Sequence, residues 1–259
     1  MRIRLALALA SLLCSSVLLA QNITGIANPA AVAQGNLVAP GSLVSIFGGS
    51  LAGSLASADS VALSTSLGDV TAVNINGLAA PVVMVSDGQI TAQVPWEVVA
   101  GPSTVTVARG NAFSNSFSVQ VNQFAPAFFN MRLGGLQAIA INGDGSLAAP
   151  AGILGNLSAH AATAGDTLTF YGTGFGPVNG GLTDGALPAD LSATTVNQPT
   201  VTIGGMPAQV TYSGMSQKFF GVYQLNVVVP QGVTPGHAVP VSLQIGGAST
   251  VDPVTIAVQ

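Results

Sequence analysis

The stretch Gly41-Ser42-Leu43-Val44-Ser45-Ile46-Phe47-Gly48 alternates apolar and small polar side chains between two glycines. It returns later in the chain as Gly165-Asp166-Thr167-Leu168-Thr169-Phe170-Tyr171-Gly172. A period of two places one face of such a segment in a core and the other toward solvent. That is a half-buried strand, and the glycines mark the turns where it stops.

The surrounding blocks repeat in the same order. Val73-Asn74-Ile75-Asn76-Gly77 followed by Ala80 returns as Val201-Thr202-Ile203-Gly204-Gly205 followed by Ala208. Gln89-Ile90 before Val94-Pro95 returns as Gln224-Leu225 before Val229-Pro230, and Val105-x-Val107 with Gly110 returns as Val241-x-Leu243 with Gly246. The spacing between equivalent blocks grows along the chain, so the second copy carries insertions. Period-two runs predict strands at 42–47, 70–75, 89–94, 103–108 and 116–121, then at 167–171, 200–203, 209–212, 223–229, 239–245 and 254–258. Thr and Val dominate them, as a pleated surface favours. No window after residue 20 has a long amphipathic helical pattern. Short strands with frequent turns, in two copies of about 100 residues, predict an all-β fold of two tandem immunoglobulin-like sandwiches.

The blocks also carry a resemblance. Gly-x-x-apolar-(Ser/Thr)-apolar-aromatic-Gly, then the Val-x-Ile-x-Gly hairpin, then Val-Pro, resembles the IPT/TIG family of immunoglobulin-like domains. The whole chain after its first residues is similar to a C-terminal domain family of secreted acidobacterial proteins. The residues carrying that likeness include 39–48, Gly88-Gln89-Ile90, Gln93-Val94-Pro95-Trp96-Glu97-Val98, Asn142-Gly143-Asp144-Gly145-Ser146, 171–178 and 221–227. The likeness implies IPT/TIG-like β-sandwiches in an exported protein. It implies no catalytic residues, because no activity is established for that family.

Residues 1–20 read as a secretory signal peptide. Arg2 and Arg4 precede an apolar run over 5–20, broken only by Ser11, Cys14, Ser15 and Ser16, and polar Gln21 and Asn22 follow. The run is short for a membrane span of roughly 20 residues. The expectation is a secreted protein (extracellular, cell-surface or periplasmic) with no transmembrane segment in the mature chain. Cys14 is the sole cysteine, so disulfides cannot staple the mature fold and an apolar core must hold it. The expected organisation is domain 1 over 21–122, a connecting hairpin segment over 123–159, and domain 2 over 160–259. The hairpin segment is too apolar for a free linker and is expected to pack between the sandwiches. Domain 2, excised as 155–259, is expected to fold alone, because it holds a full set of strand blocks.

Charged residues make up only 5% of the chain against about 25% in ordinary soluble domains. Past residue 20 the basic side chains are Arg109, Arg132 and Lys218, against nine acids. Nucleic acid needs a basic surface to neutralise phosphates, so it is excluded as a partner. A membrane barrel needs longer strands and aromatic girdles.

Chemistry-bearing motifs are sparse. Gly172-x-Gly174-x-Gly176 resembles part of a nucleotide loop, but Pro177 and the following glycines allow no helix to receive a phosphate, so it reads as a turn. Asn142-x-Asp144-x-Ser146 has the oxygen spacing of a calcium loop without the later glycine and glutamate, and also reads as a turn. The two histidines, His160 and His237, have no triad context. No catalytic, cofactor or metal residue is assigned.

The candidate ligand contacts are Trp96, the sole tryptophan, and its neighbour Glu97. The other reading of Trp96 is a cover over the end of the sandwich core. The functional expectation is a secreted, non-enzymatic binding, adhesion or cell-surface structural protein. Its expected partner is a neutral polysaccharide or another extracellular protein. The alternative is a secreted hydrolase, which needs two of the nine acids within about 5–10 Å in a pocket.

Overall fold

A computed structural model describes residues 20–31, 35–59, 62–153, 155 and 157–259. The expected export signal lies outside these residues except for Ala20. Among the described residues every regular element is a strand.

The first sandwich holds β1 (Asn22–Ala27), β2 (Leu37–Val38), β3 (Leu43–Gly49), β4 (Ala56–Ser57), β5 (Ala72–Ile75), β6 (Leu78–Ala79), β7 (Val82–Val85), β8 (Gln89–Gln93), β9 (Gly101–Arg109), β10 (Ala112–Phe113) and β11 (Phe117–Val121). One layer runs β1-β3-β8-β7-β4 and the other β2-β11-β9-β5-β6, with β10 on β9. The second sandwich holds β12 (Ala127–Phe128), β13 (Asn130–Arg132), β14 (Leu136–Ala138), β15 (Ala140–Ile141), β16 (Leu147–Ala148), β17 (Ala159–His160), β18 (Thr167–Thr173), β19 (Thr200–Ile203), β20 (Met206–Met215), β21 (Tyr223–Val228), β22 (Gly236–Ile245), β23 (Ala248–Ser249) and β24 (Val254–Val258).

The repeated sequence blocks are repeated ladders. β3 pairs with β8 as β18 pairs with β21. β5 pairs with β9 as β19 pairs with β22, and β9 with β11 as β22 with β24. The parallel rung β2–β11 has its counterpart in β14–β24. Both copies turn from one strand to the next over residues with positive φ: Asn76 (51°) and Gly77 (82°) in the first, Gly204 (60°) and Gly205 (78°) in the second. Two such residues match the twist of the flanking strands. The copies differ where a strand passes between layers. β20 pairs with β19 through Met206–Ala208 and with β21 from Gln209 onward, shifting register between Val210 and Tyr212. In the first copy β6 and β7 are separate strands, and the intervening Pro81 has no N–H to give a ladder.

Each sandwich has its own core. Val44, Ile46, Ile75, Ile90, Val105 and Val107 belong to the first. Leu168, Phe170, Leu225, Val227, Val241 and Ile256 belong to the second. Each fully buried Val, Leu, Ile or Phe stabilises by roughly 1.5–3 kcal/mol. Alternation is strict where the strands are long: in β22 the buried positions Val239, Val241, Leu243 and Ile245 alternate with exposed ones.

The segment over 123–159 does more than connect. It touches the first sandwich where Ala127 packs on Ala30 and Ala31, and where Asn130 Nδ2 donates to the Ala30 carbonyl at 3.0 Å. It also supplies β12 and β15 to the ladder of β18, and β14 to that of β24. Phe128, Ala138, Ala140 and Ala148 are buried in the second core. β15 and β16 pair antiparallel, with Ile141 opposite Leu147. The expected single run over 136–141 divides at Ile139, because β14 lies in one layer and β15 in the other. The glycine-rich stretch after β18 is irregular and holds no helix. A Cβ at Gly174 would lie 2.0 Å from the Ala125 carbonyl, and one at Gly176 2.3 Å from the Phe124 ring, so these glycines let the segment cross closely.

Candidate functional site at the seam between the sandwiches

The end of β8 and the loop around Asp184 form one edge of the seam. Gln93 is fully buried. Its Nε2 donates to the Gly41 carbonyl at 3.1 Å, and its Oε1 accepts from Gly185 N at 2.7 Å. Gly185 O accepts from Leu63 N at 2.8 Å. Trp96 N donates to Asp184 Oδ1 at 2.9 Å. The Trp96 side chain is half-buried and packs against the core of the second sandwich. It lies over Gly41, whose backbone has φ 74° and where a Cβ would fall 2.1 Å from the ring. Its Nε1 is buried without a partner. With Pro40, Val98 and Pro177 it lines a small cavity of about 290 Å³.

Glu97 is exposed, and its carboxyl lies near that of Asp184. Burial raises the Asp184 pKa above the usual carboxylate range. The Trp96 amide opposes that rise and the neighbouring Glu97 adds to it. The structure therefore joins Trp96 and Glu97, the two candidates from sequence, to an acid of the other sandwich.

The other edge of the seam opens into a cleft of about 670 Å³. Leu43 and Val83 of the first sandwich form one side. Ile139 and Ile141 of the second lie opposite, and the rings of Phe129, Tyr171, Phe219 and Phe220 supply the aromatic wall. Backbone bonds hold that wall: Phe129 N to Tyr171 O at 2.9 Å and Ile139 N to Phe129 O at 2.8 Å. Tyr171 and Phe219 meet edge to face at 5.4 Å between ring centres, a favoured aromatic geometry. Leu43 N donates to Thr173 Oγ1 at 3.1 Å, and Leu43 sits so close to Gly221 that a Cβ there would collide with it. Lys218 is the one charged residue of the lining. Sequence reasoning passed over these rings. The available signal was two Phe-Phe pairs, 128–129 and 219–220, in a chain with 5% aromatics.

Six further charged or titratable groups are committed to local structure. Asp144 Oδ1 accepts from Ser146 N at 2.9 Å and Ser146 Oγ at 2.6 Å, while Oδ2 faces His160 Nε2 at 3.1 Å. The Ser146 bonds, then His160, hold the Asp144 pKa down to about 2. The His160 ring is raised by its bond to the Ala161 carbonyl and then by Asp144. Asp166 Oδ2 accepts from Thr163 N at 2.7 Å, and Asp190 Oδ1 from Ser192 N at 2.8 Å. Asp69 pairs with Arg109, whose Nε lies 2.9 Å away. Among the described residues no group of three His, Cys, Asp or Glu stands ready to hold a metal. No helix there is long and apolar enough to cross a membrane.

Residues 156–258 match the IPT/TIG domain family. The second sandwich is IPT/TIG-like, and the first repeats its ladders in tandem. Among solved structures, the chain is similar to SGBP-B of the mixed-linkage glucan utilization locus of Bacteroides ovatus, solved with a mixed-linkage heptasaccharide. Identity is 14%, the TM-score 0.39, and 92% of this chain covers 45% of that one. The SGBP-B of a complex xyloglucan utilization locus in Bacteroides uniformis is 14% identical with a TM-score of 0.27, over 92% of this chain and 49% of that one. The Escherichia coli adhesin FdeC is 12% identical with a TM-score of 0.26, over 86% of this chain and 62% of that one. The chain thus spans less than half of the two SGBP-B chains. No curated protein matches it.

Proposed function

We propose that this is an exported, non-enzymatic binding or adhesion protein, with its contact site in the aromatic cleft between two IPT/TIG-like sandwiches. On this reading residues 1–20 are the export signal, residues 21–122 the first unit and residues 123–259 the second. The observation that carries the reading is the cleft itself. Its volume lies within the range of ligand sites, about 300–1,000 Å³, and both sandwiches wall it. Rings and branched aliphatic side chains left half-exposed in a concave seam invite a partner that covers them.

Composition points to a neutral or weakly charged partner, a polysaccharide or another extracellular protein. The cleft favours a partner that buries apolar surface, since it offers few groups to satisfy a hydroxyl-rich one. The hydrolase reading draws on Glu97 and Asp184, which do meet. They sit at the opposite edge of the seam, and neither lines the cleft.

The test uses the intact chain and N-phenyl-1-naphthylamine, a neutral apolar fluorophore. Saturable binding at one site, insensitive to salt and lost in Phe219→Ala with Val83→Asp, is expected. Binding that survives both substitutions, or no saturable binding, would overturn the reading.

A further inference from the structure

We propose that the cleft takes a free long-chain fatty acid, its acyl chain along the aromatic wall and its carboxylate at Lys218. This rests on the cleft being the binding site, and it adds the ligand class.

The lining is almost wholly apolar. An extended ligand with many hydroxyls would leave them unpaired against Leu43, Ile139 and Phe219, and an unpaired buried polar group is costly. A methylene chain has nothing to pair. It gains from every contact with the rings, and burying each CH₂ tightens binding about fourfold. The cleft therefore selects for a long apolar body.

The single cation then selects the head. Among the described residues Lys218 belongs to no ion pair, whereas Arg109 is held by Asp69. Ser216 is buried, and its hydroxyl accepts from Lys218 N at 3.1 Å. The turn that carries Lys218 and Phe219 is thereby fixed at the mouth of the cleft. Lysine keeps its ammonium in water while its stem lies along apolar surface. That placement suits a ligand whose charge stays at the rim while its body is covered. A carboxylate there forms a charge-assisted bond. Asp144 adjoins the lining residue Gly145 in the chain. Both its carboxylate oxygens are engaged, by Ser146 and His160, so the rim is left to Lys218.

The experiment displaces N-phenyl-1-naphthylamine from the intact chain with decanoate, dodecanoate and tetradecanoate below their micelle concentrations. Dodecanol, methyl dodecanoate and a neutral glucan oligosaccharide run in parallel. The acids should bind in order of length, about fourfold tighter per added methylene until the cleft is full. Dodecanoate should bind several-fold tighter than dodecanol or the ester. Lys218→Gln should erase that preference and leave dodecanol unchanged, while Phe219→Ala weakens acid and alcohol alike. Fluorophore bound but dodecanoate no tighter than dodecanol, or Lys218→Gln weakening both equally, overturns the fatty-acid assignment and leaves the cleft as a binding site. Displacement by the oligosaccharide alone does the same. No saturable binding of fluorophore or acid overturns both.

Discussion

Gly41 shows how one residue sets the geometry of the seam. Its φ of 74° is left-handed, and the Trp96 ring occupies the space where a side chain would begin. A left-handed conformation alone costs an ordinary residue about 1–2 kcal/mol, and the added Cβ must also displace the ring. Gly41→Ala is therefore expected to lower stability by more than about 2 kcal/mol, read as a fall in the denaturant midpoint. The full loss should need the ring: in a Trp96→Ala background the same change should cost only the backbone part. Equal losses in both backgrounds would show that the ring is not held by Gly41. Trp96 stood out in the sequence because it is alone. Its neighbours could not be read there, because Gly41 and the Asp184 loop lie far from it along the chain.

At the scale of elements, the decisive strands are the short ones between the repeats. β14 gives the second sandwich the parallel rung on β24 that β2 gives the first on β11. Phe128 packs on Phe170 and Phe175 at ring-centre distances of 5.3 and 6.1 Å. Removing a buried phenylalanine alone costs about 3–5 kcal/mol. The expectation from sequence that 155–259 folds alone is therefore revised: residues 155–259 alone are expected to aggregate or lack a cooperative transition, and residues 123–259 to be soluble and unfold as a unit. Circular dichroism and melting of the two fragments decide this, and a cooperatively folded 155–259 would contradict it. The eleven runs with strict alternation all contain strands. β7 (Val82–Val85) escaped notice because VVMV is apolar throughout, and continuous apolar runs do not distinguish strand from helix. β12 to β16 are two or three residues long, too short for any period to show.

At the scale of the whole molecule, few charges cross the seam, and Asp184 is the one with consequence. Its pKa is raised in the folded chain, so the folded state binds that proton more tightly than the unfolded state does. Its contribution to stability therefore grows as pH falls through the raised value and is complete below the unfolded value near 4. At pH 7 the carboxylate is held beside Glu97 at a cost. Asp184→Asn keeps an acceptor for Trp96 N and removes the charge beside Glu97. It is expected to raise the melting temperature by about 1–3 °C at pH 7, with the gain vanishing near pH 4. Melting curves from pH 4 to 8 test this, and a loss of stability at pH 7 would contradict it.

The sequence alone determined the strands, their doubling and the class of fold. Each of these is written in neighbouring residues: a period of two, a glycine at a turn, a block that returns. It also bounded the chemistry, since a chain with three basic residues past its first twenty has little with which to grip a polyanion. The tertiary structure decided which side chains share a site. Leu43, Ile139, Tyr171 and Phe219 face one cleft only because two sandwiches meet at a fixed angle. That angle is held by contacts such as Gln93 to Gly185 and Leu43 to Thr173, between residues about 90 and 130 positions apart. Local periodicity says which face of a strand is apolar. Only packing says which apolar faces are covered by a core and which are left open at a seam.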